Sequence, residues 1–286
     1  MRLALLVTLM LGLPAARADA GRGTALLKYL PDDTNVVVVA DVARARGSKV
    51  FKRLLAIARE QNAWLDDLAT SMPIEKQVDT VVMGMTTAKQ AVTVLEGRVD
   101  KLFAEAKKQS TKQETHDGIA YLVTEHGELA LVDKKLVLTS AGAMTAVIDR
   151  RKAKKAKGPA AVRTILAATT PNTAVFGGIV LDTAQRSDFK TSLGAEPQWV
   201  AFSFAMAQKL TIDVRPKLAS EADAAAVVKK LADELTPERR GQLEGFVGKE
   251  FSDSITVDQQ NAFARFAATM TLDELEKIIT FAKVLL

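Results

Sequence analysis

Eight consecutive residues, Arg150-Arg151-Lys152-Ala153-Lys154-Lys155-Ala156-Lys157, hold six cations. Clustered basic side chains attract an anionic surface at about 1 kcal/mol per residue, and salt weakens that attraction. The chemistry open to Arg150, Arg151, Lys152, Lys154, Lys155 and Lys157 is therefore contact with an anionic lipid headgroup or an anionic polymer. The competing reading is a solvated helix end, since cations suit the negative pole of a helix.

Other residue types point to chemistry less specifically. Ser187-Asp188-Phe189-Lys190 matches S-x-x-K, the nucleophile pattern of penicillin-recognising serine hydrolases. The S-D-N partner is missing, and Lys190-Thr191-Ser192 overlaps the nucleophile where a separate K-T-G strand is required. A helix-capping role for Ser187 is the simpler expectation. His116 and His126 stand beside Gly118 and Gly127 in turn-like contexts, without an i, i+4 partner. The pairs Asp32-Asp33 and Asp66-Asp67 are adjacent in sequence, so on a strand their carboxylates face opposite ways. No catalytic residue, cofactor site or metal site is assigned from these patterns, and no enzyme activity is expected.

The frame around these residues is that of an exported chain. Arg2 precedes an apolar run from Leu3 to Leu13, Pro14 breaks it, and small residues at Ala16, Ala18 and Ala20 offer cleavage sites after Ala18 or Ala20. That order of features is a secretory signal peptide, residues 1–20, and the run is too short to span a bilayer. No cysteine follows it, which excludes a lipid anchor. Removing the segment takes away Arg2, Arg17 and Asp19 and moves the formal charge from +5 to +4. The chain contains no cysteine at all. Thiol catalysis, iron–sulfur clusters and thiolate zinc are thereby excluded, and stability must come from a core large enough to replace disulfides. A periplasmic or secreted location follows. The partners expected are an envelope protein, an anionic lipid or an anionic polymer. Nucleic acid is disfavoured by compartment and by the low aromatic content, and no transmembrane segment follows the signal.

The elements that would position the basic run read as α+β. Pro31-Asp32-Asp33 is turn chemistry, and Asn35 to Val42 is a buried strand because β-branched residues suit a pleated, two-sided packed position. Ser48 opens a helix with Phe51, Leu54, Leu55 and Ala58 at helical spacing. Thr80–Met85 and Ala91–Leu95 form a hairpin, Lys101–Lys108 a helix, and three strands follow within 119–140. A helix spans 143–157. The pattern then returns. Thr170-Pro171-Asn172-Thr173 echoes the first turn, Ala174–Leu181 the valine strand, and Asp182 to Phe189 the capped helix start. Strands at 199–205 and 209–214 precede a helix over 220–235 and another opened by Thr236-Pro237. Strands at 254–258 and 261–269 follow, then a last helix behind the capping box Thr271/Glu274. No phosphate-binding glycine pattern follows the valine strand. Gly177-Gly178 within its echo marks a bulge or close packing. The repetition predicts two related units, 24–158 and 159–286, each a mostly antiparallel sheet backed by helices, with a pseudo-two-fold between them.

Several stretches carry a resemblance. They are the opening Leu30-Pro31-Asp32-Asp33-Thr34, the valine strand ending in Asp41-Val42, and then Ser48 and Phe51. Val94 to Asp100, Asp117 to Leu122 and Leu136 to Asp149 add to them. The chain resembles a family of exported bacterial proteins of unknown function, over most of its mature length. The resemblance implies a fold and a compartment and no catalytic residues. The functional expectation is a non-enzymatic envelope protein with a binding or structural role. The alternative is an amphiphile carrier whose pocket lies between sheet and helices, with Phe202, Phe204, Phe263 and Phe266 as possible lining. An S-x-x-K hydrolase ranks last.

Overall fold

The computed structural model describes residues 20–61, 74–110, 112–125, 127–151, 158–170 and 173–285. The expected signal peptide, apart from Ala20, lies outside the described residues. The first half runs α1 (Ala20–Leu26), a 3-10 turn (Leu27–Tyr29), β1 (Thr34–Asp41), α2 (Val42–Ala45), α3 (Lys49–Gln61), α4 (Ile74–Gln77), β2 (Val78–Thr86), β3 (Ala91–Gly97), α5 (Asp100–Gln109), β4 (Lys112–His116), β5 (Ile119–Thr124), β6 (Gly127–Val132), β7 (Lys135–Thr139) and α6 (Met144–Arg151). The second runs α7 (Ala160–Ala167), β8 (Val175–Val180), α8 (Thr183–Leu193), β9 (Trp199–Met206), β10 (Leu210–Lys217), α9 (Glu221–Glu234), α10 (Pro237–Phe246), α11 (Lys249–Ser254), β11 (Thr256–Gln260), β12 (Phe263–Met270) and α12 (Leu272–Leu285).

The 12 strands of the described residues join one antiparallel sheet, in the order β11-β12-β10-β9-β8-β1-β2-β3-β7-β6-β5-β4. The architecture is α+β, as the sequence predicts. The valine strand pairs with its own echo at the centre of the sheet, with Val38 opposite Gly177. The sheet therefore runs unbroken across the boundary expected at 158/159. Both strands are entered the same way: Thr34 Oγ1 donates to Pro31 O at 2.6 Å and Thr173 Oγ1 to Thr170 O at 2.8 Å. Each side-chain bond closes a turn that aims the chain into the sheet.

Side chains alternate across a strand, so the registers sort the sheet into two faces. On the front face Val37, Val39, Val82 and Val94 pack beneath α1, the 3-10 turn, α6 and α7, against Leu26, Leu27, Met144, Val147 and Val162. On the back face Val38, Ala40, Val81, Phe202 and Phe204 pack beneath α3, α5 and α12, against Phe51, Leu54, Leu102, Leu275 and Ile279. Each such side chain contributes about 1.5–3 kcal/mol when fully buried. Arg53 ties α3 to α12 through Glu276, with Nη2 2.7 Å from Oε2.

Gly177 and Gly178 mark close packing. A Cβ on Gly178 would stand 2.3 Å from Ile165 Cγ2, where α7 crosses the front of β8. One on Gly177 would stand 2.1 Å from Val37 O and 2.9 Å from the Phe202 ring on the back. The paired register of β1 with β8 is continuous, so no bulge forms there.

The two ends of the sheet are dressed differently. After β7 the chain returns over the front as α6, but after β12 it returns over the back as α12. Helix α9 also takes the back, where Ala224 and Val227 meet Ala264. Among the described residues, the front of β9, β10, β12 and β11 is covered by a helix only along its margin, where α7 reaches β9.

The helix expected over 143–157 is present as Met144–Arg151, and its remainder, 152–157, lies outside the described residues. Two local expectations are corrected. His116 ends strand β4, which the sequence reading missed because its alternation KQETH carries no apolar residue. Ser187 caps nothing. Asp182 caps α8, accepting from Gln185 N at 2.8 Å and completing a capping box, so Ser187 falls inside the helix. Ser48, its supposed counterpart, does cap α3, accepting from Phe51 N at 3.3 Å.

Candidate functional site

Arg150 and Arg151 close α6 and turn inward to the folded body. Arg150 grips Asp32 with both terminal nitrogens, at 2.5 and 2.8 Å, and its side chain is only 20% exposed. The Arg150 hydrogen bond holds the Asp32 carboxyl below its ordinary range. Arg151 Nε lies 3.7 Å from Asp133 Oδ1. Asp133 also accepts from Lys28 Nζ at 3.2 Å and Tyr29 Oη at 3.0 Å. Burial pushes that carboxyl up, but the donors and cations around it outweigh burial and lower it. Burial, then Asp133, pushes the Tyr29 phenol up. The first two cations of the basic run thus anchor its start to the front side of the molecule. Lys152, Lys154, Lys155 and Lys157 lie outside the described residues. Helix α7, the next in sequence, carries Arg163 exposed.

The remaining sequence candidates are dispersed. His116 Nε2 lies 2.8 Å from Asp149 Oδ1, joining β4 to α6. His126 and the Asp66-Asp67 pair lie outside the described residues. Among the described residues no group of three or more His, Cys, Asp or Glu side chains could hold a metal. Ser187 is exposed, and Lys190 turns to Glu196 at 2.9 Å. Phe202 and Phe204 fill the back core, with ring centroids 5.5 Å apart. A cleft of about 430 Å³ opens where α2 and α3 meet the ends of β8 and β9, lined by Arg44, Ser48, Ala174, Ala205, Met206 and Gln208 among others. Ser48 is held at its wall by a 3.0 Å bond from Oγ to Ala207 O.

The densest polar constellation is on the open front of the second half. The registers place Ser203, Asp213 and Ala267 in one row across β9, β10 and β12, and Trp199, Lys217 and Phe263 in another. Arg265 stands opposite Asp258 of β11 and next to Phe263 in the same strand face. Asp213 is buried at 5% exposure. It accepts from Arg215 Nε at 2.8 Å, Arg215 Nη2 at 3.0 Å, Arg265 Nε at 2.9 Å and Thr170 Oγ1 at 3.1 Å. Burial would raise this carboxyl, but the two guanidiniums prevail and lower it. Arg215 reaches on to Ala168 O at 3.3 Å, where α7 ends, and Arg265 Nη1 to Asp258 at 2.9 Å. Two donors remain. Arg265 Nη2 and Lys217 Nζ make no hydrogen bond to any described residue. Lys217 Nζ instead sits 5.2 Å from the centroid of Phe263, whose ring meets Trp199 edge-on at 5.4 Å.

Phe263, expected as pocket lining, lies instead on this front face, and no motif marks Asp213, Arg215, Lys217 or Arg265. Their sequence signal is that Thr211, Asp213, Arg215 and Lys217 alternate with Ile212, Val214 and Pro216. That is the period of a strand with one polar and one apolar face.

No family model matches the chain, and neither does any curated protein. A solved structure does. The chain folds like TP0453. The structure of crystal form I of that protein matches with a TM-score of 0.52, over 90% of this chain and 96% of that one, at 11% sequence identity. At that identity the likeness concerns the fold alone. Among the described residues of this chain no helix is long and apolar enough to cross a membrane.

Proposed function

We propose that this is an exported, non-enzymatic binding protein that meets an anionic partner of the cell envelope with its front side. The observation that carries the reading is the anchoring of the basic run. Arg150 and Arg151 fix its start to Asp32 and Asp133, and in sequence the run joins α6 to α7, both of which lie on the front. Arg163 of α7 is exposed, and the strand face beyond β9 adds Arg215, Lys217 and Arg265 to the front. Four lysines near an anionic surface contribute about 4 kcal/mol, a factor on the order of a thousand in affinity. The test is retention of envelope lipids and polymers by immobilised protein, read across a salt series. The wild type should release its anionic partner as salt rises, and replacing Lys152, Lys154, Lys155 and Lys157 with alanine should abolish retention. Retention indifferent to both salt and the four lysines would refute the reading.

We also propose that the fold is a duplication of one α+β unit. What supports this is the order β1, helix, β2, β3 beside β8, helix, β9, β10, with the two leading strands adjacent and antiparallel and each entered through a threonine-closed turn. The amphiphile-carrier reading is supported by the cleft beside Met206, which alanine and methionine side chains wall in part.

A further inference from the structure

We propose that the open front face of β9, β10 and β12 is a recognition site for an acidic glycan, a chain of sugar rings bearing carboxylates. The proposal rests on the anionic-partner reading above and names where on the front the partner is held and what it is.

The site is built around preset cations. Arg265 is fixed by two carboxylates, Asp213 through Nε and Asp258 through Nη1, which leaves Nη2 free to donate. Lys217 sits diagonally across from it, since Lys217 pairs with Phe263 and Arg265 follows two residues later on the same face. Diagonal neighbours across antiparallel strands stand about 7–8 Å apart, a span that one carboxylate can bridge between two long cationic side chains. Lys217 has no carboxylate partner among the described residues; the Phe263 ring holds its ammonium in place. A guanidinium and an ammonium with unspent donors are the groups that form the strong charge-assisted bonds to carboxylates.

The surroundings select the class of partner. Trp199 stands edge-on to Phe263 and is half-buried, presenting ring surface beside the two donors for the apolar face of a sugar. Thr211, Thr269, Thr256 and Gln260 supply hydroxyl and amide groups on the same face. The aromatic rings of the face are confined to the row of Trp199 and Phe263, and polar side chains occupy most of the rest. Three cations oppose two carboxylates, a local excess of one. That suits one carboxylate per sugar ring better than the phosphates of a duplex, which follow one another about every 1.7 Å along its axis.

Only two tryptophans exist, Trp64 and Trp199. In the full mature chain carrying Trp64→Phe, the emission of Trp199 reports on this face directly. Oligogalacturonate, neutral dextran oligomers and anionic phospholipid vesicles would each be titrated at low salt. The site predicts that oligogalacturonate shifts the emission, that dextran does not, and that Lys217→Glu weakens oligogalacturonate binding about tenfold or more. Trp199→Phe, read by calorimetry, should weaken it as well. Alanine at Lys152, Lys154, Lys155 and Lys157 should weaken it as well, but that loss should disappear as salt rises, whereas the loss from Lys217→Glu should persist. No binding, equal binding of dextran, tighter binding of vesicles, or indifference to Lys217→Glu would each overturn the proposal. If the four-lysine variant alone lost binding, the site would be refuted and the broader anionic-partner reading kept. A folded Lys217→Glu protein is expected because Lys217 makes no structural ion pair.

Discussion

Replacing Asp213 with asparagine tests whether the open face is held together as described. The Asp213 side chain is 7% exposed and receives four donated bonds, three of them from guanidiniums. Asparagine keeps the outline but offers one oxygen and one amide that donates. Whichever way it turns, an N–H faces an N–H of Arg215 or Arg265. Breaking a buried charge pair by removing one partner costs about 3–5 kcal/mol. Here the arginines are 20% and 28% exposed, so water reaches the orphaned cations and softens the loss. The expected destabilisation is about 2–3 kcal/mol at neutral pH. For a chain of this length that is a fall in Tm of roughly 5–10 °C. Urea unfolding followed by circular dichroism, repeated across pH, reads it out. The sign of the pH dependence follows from the lowered carboxyl of Asp213. A carboxyl depressed in the folded state stabilises above its unfolded value of about 3.9, and that contribution fades as pH falls through the folded value. The gap between wild type and Asp213→Asn should therefore be complete above roughly pH 5 and close in acid. A gap under about 0.5 kcal/mol at pH 7, or one that widens as pH falls, would refute the account.

Two backbone positions give sharper structural tests. Gly178→Ala places a methyl 2.3 Å from both Ile165 Cγ2 and Val200 O, so α7 must lift from β8; unfolding titration should show a loss of about 1–3 kcal/mol, and a neutral result would contradict the packing. Gly248 has φ of 151°, and a Cβ there would stand 2.2 Å from Glu274 Oε1, the carboxylate that accepts from Thr271 N and Phe251 N at the start of α12. Gly248→Ala should cost about 2–4 kcal/mol, whereas Gly241→Ala, with nothing within 4 Å on exposed α10, should be neutral or stabilise by up to about 1 kcal/mol.

Much of the fold was legible because its signals are local. The valine strand, the hairpin at 80–95, the Ser48 and Thr236 caps and the Thr271/Glu274 capping box each depend on a few neighbouring residues, and each is found where the pattern put it. The union of the two halves was not decided by sequence, because β1 pairs with β8 across some 140 positions and the register lives in backbone atoms. The error at Ser187 came from trusting the echo over local chemistry. Asp182 followed three residues later by Gln185 is the stronger helix start, and it holds. The strand β4 was missed because an edge strand with polar residues on both sides leaves no period to read. The basic run was visible as charge, but the inward turn of Arg150 and Arg151 depends on Asp32 and Asp133, which are distant in sequence.

The asymmetry of the sheet gives the open face its meaning. An antiparallel sheet tolerates water on one side when that side is polar, and scattered threonines or lysines would satisfy the requirement. The front of β9, β10 and β12 goes further. It buries a carboxylate, surrounds it with two guanidiniums, and spends Asp258 and Thr170 on holding those guanidiniums in place. Buried ion clusters are weak contributors to stability, since apolar residues of the same shape often do as well. What the cluster supplies instead is orientation. Arg265 stands with one donor nitrogen free, beside an ammonium held over Phe263. A face meant only for solvent needs neither arrangement. A face meant to meet a carboxylate needs both, because donors fixed before binding lose less freedom when the partner arrives.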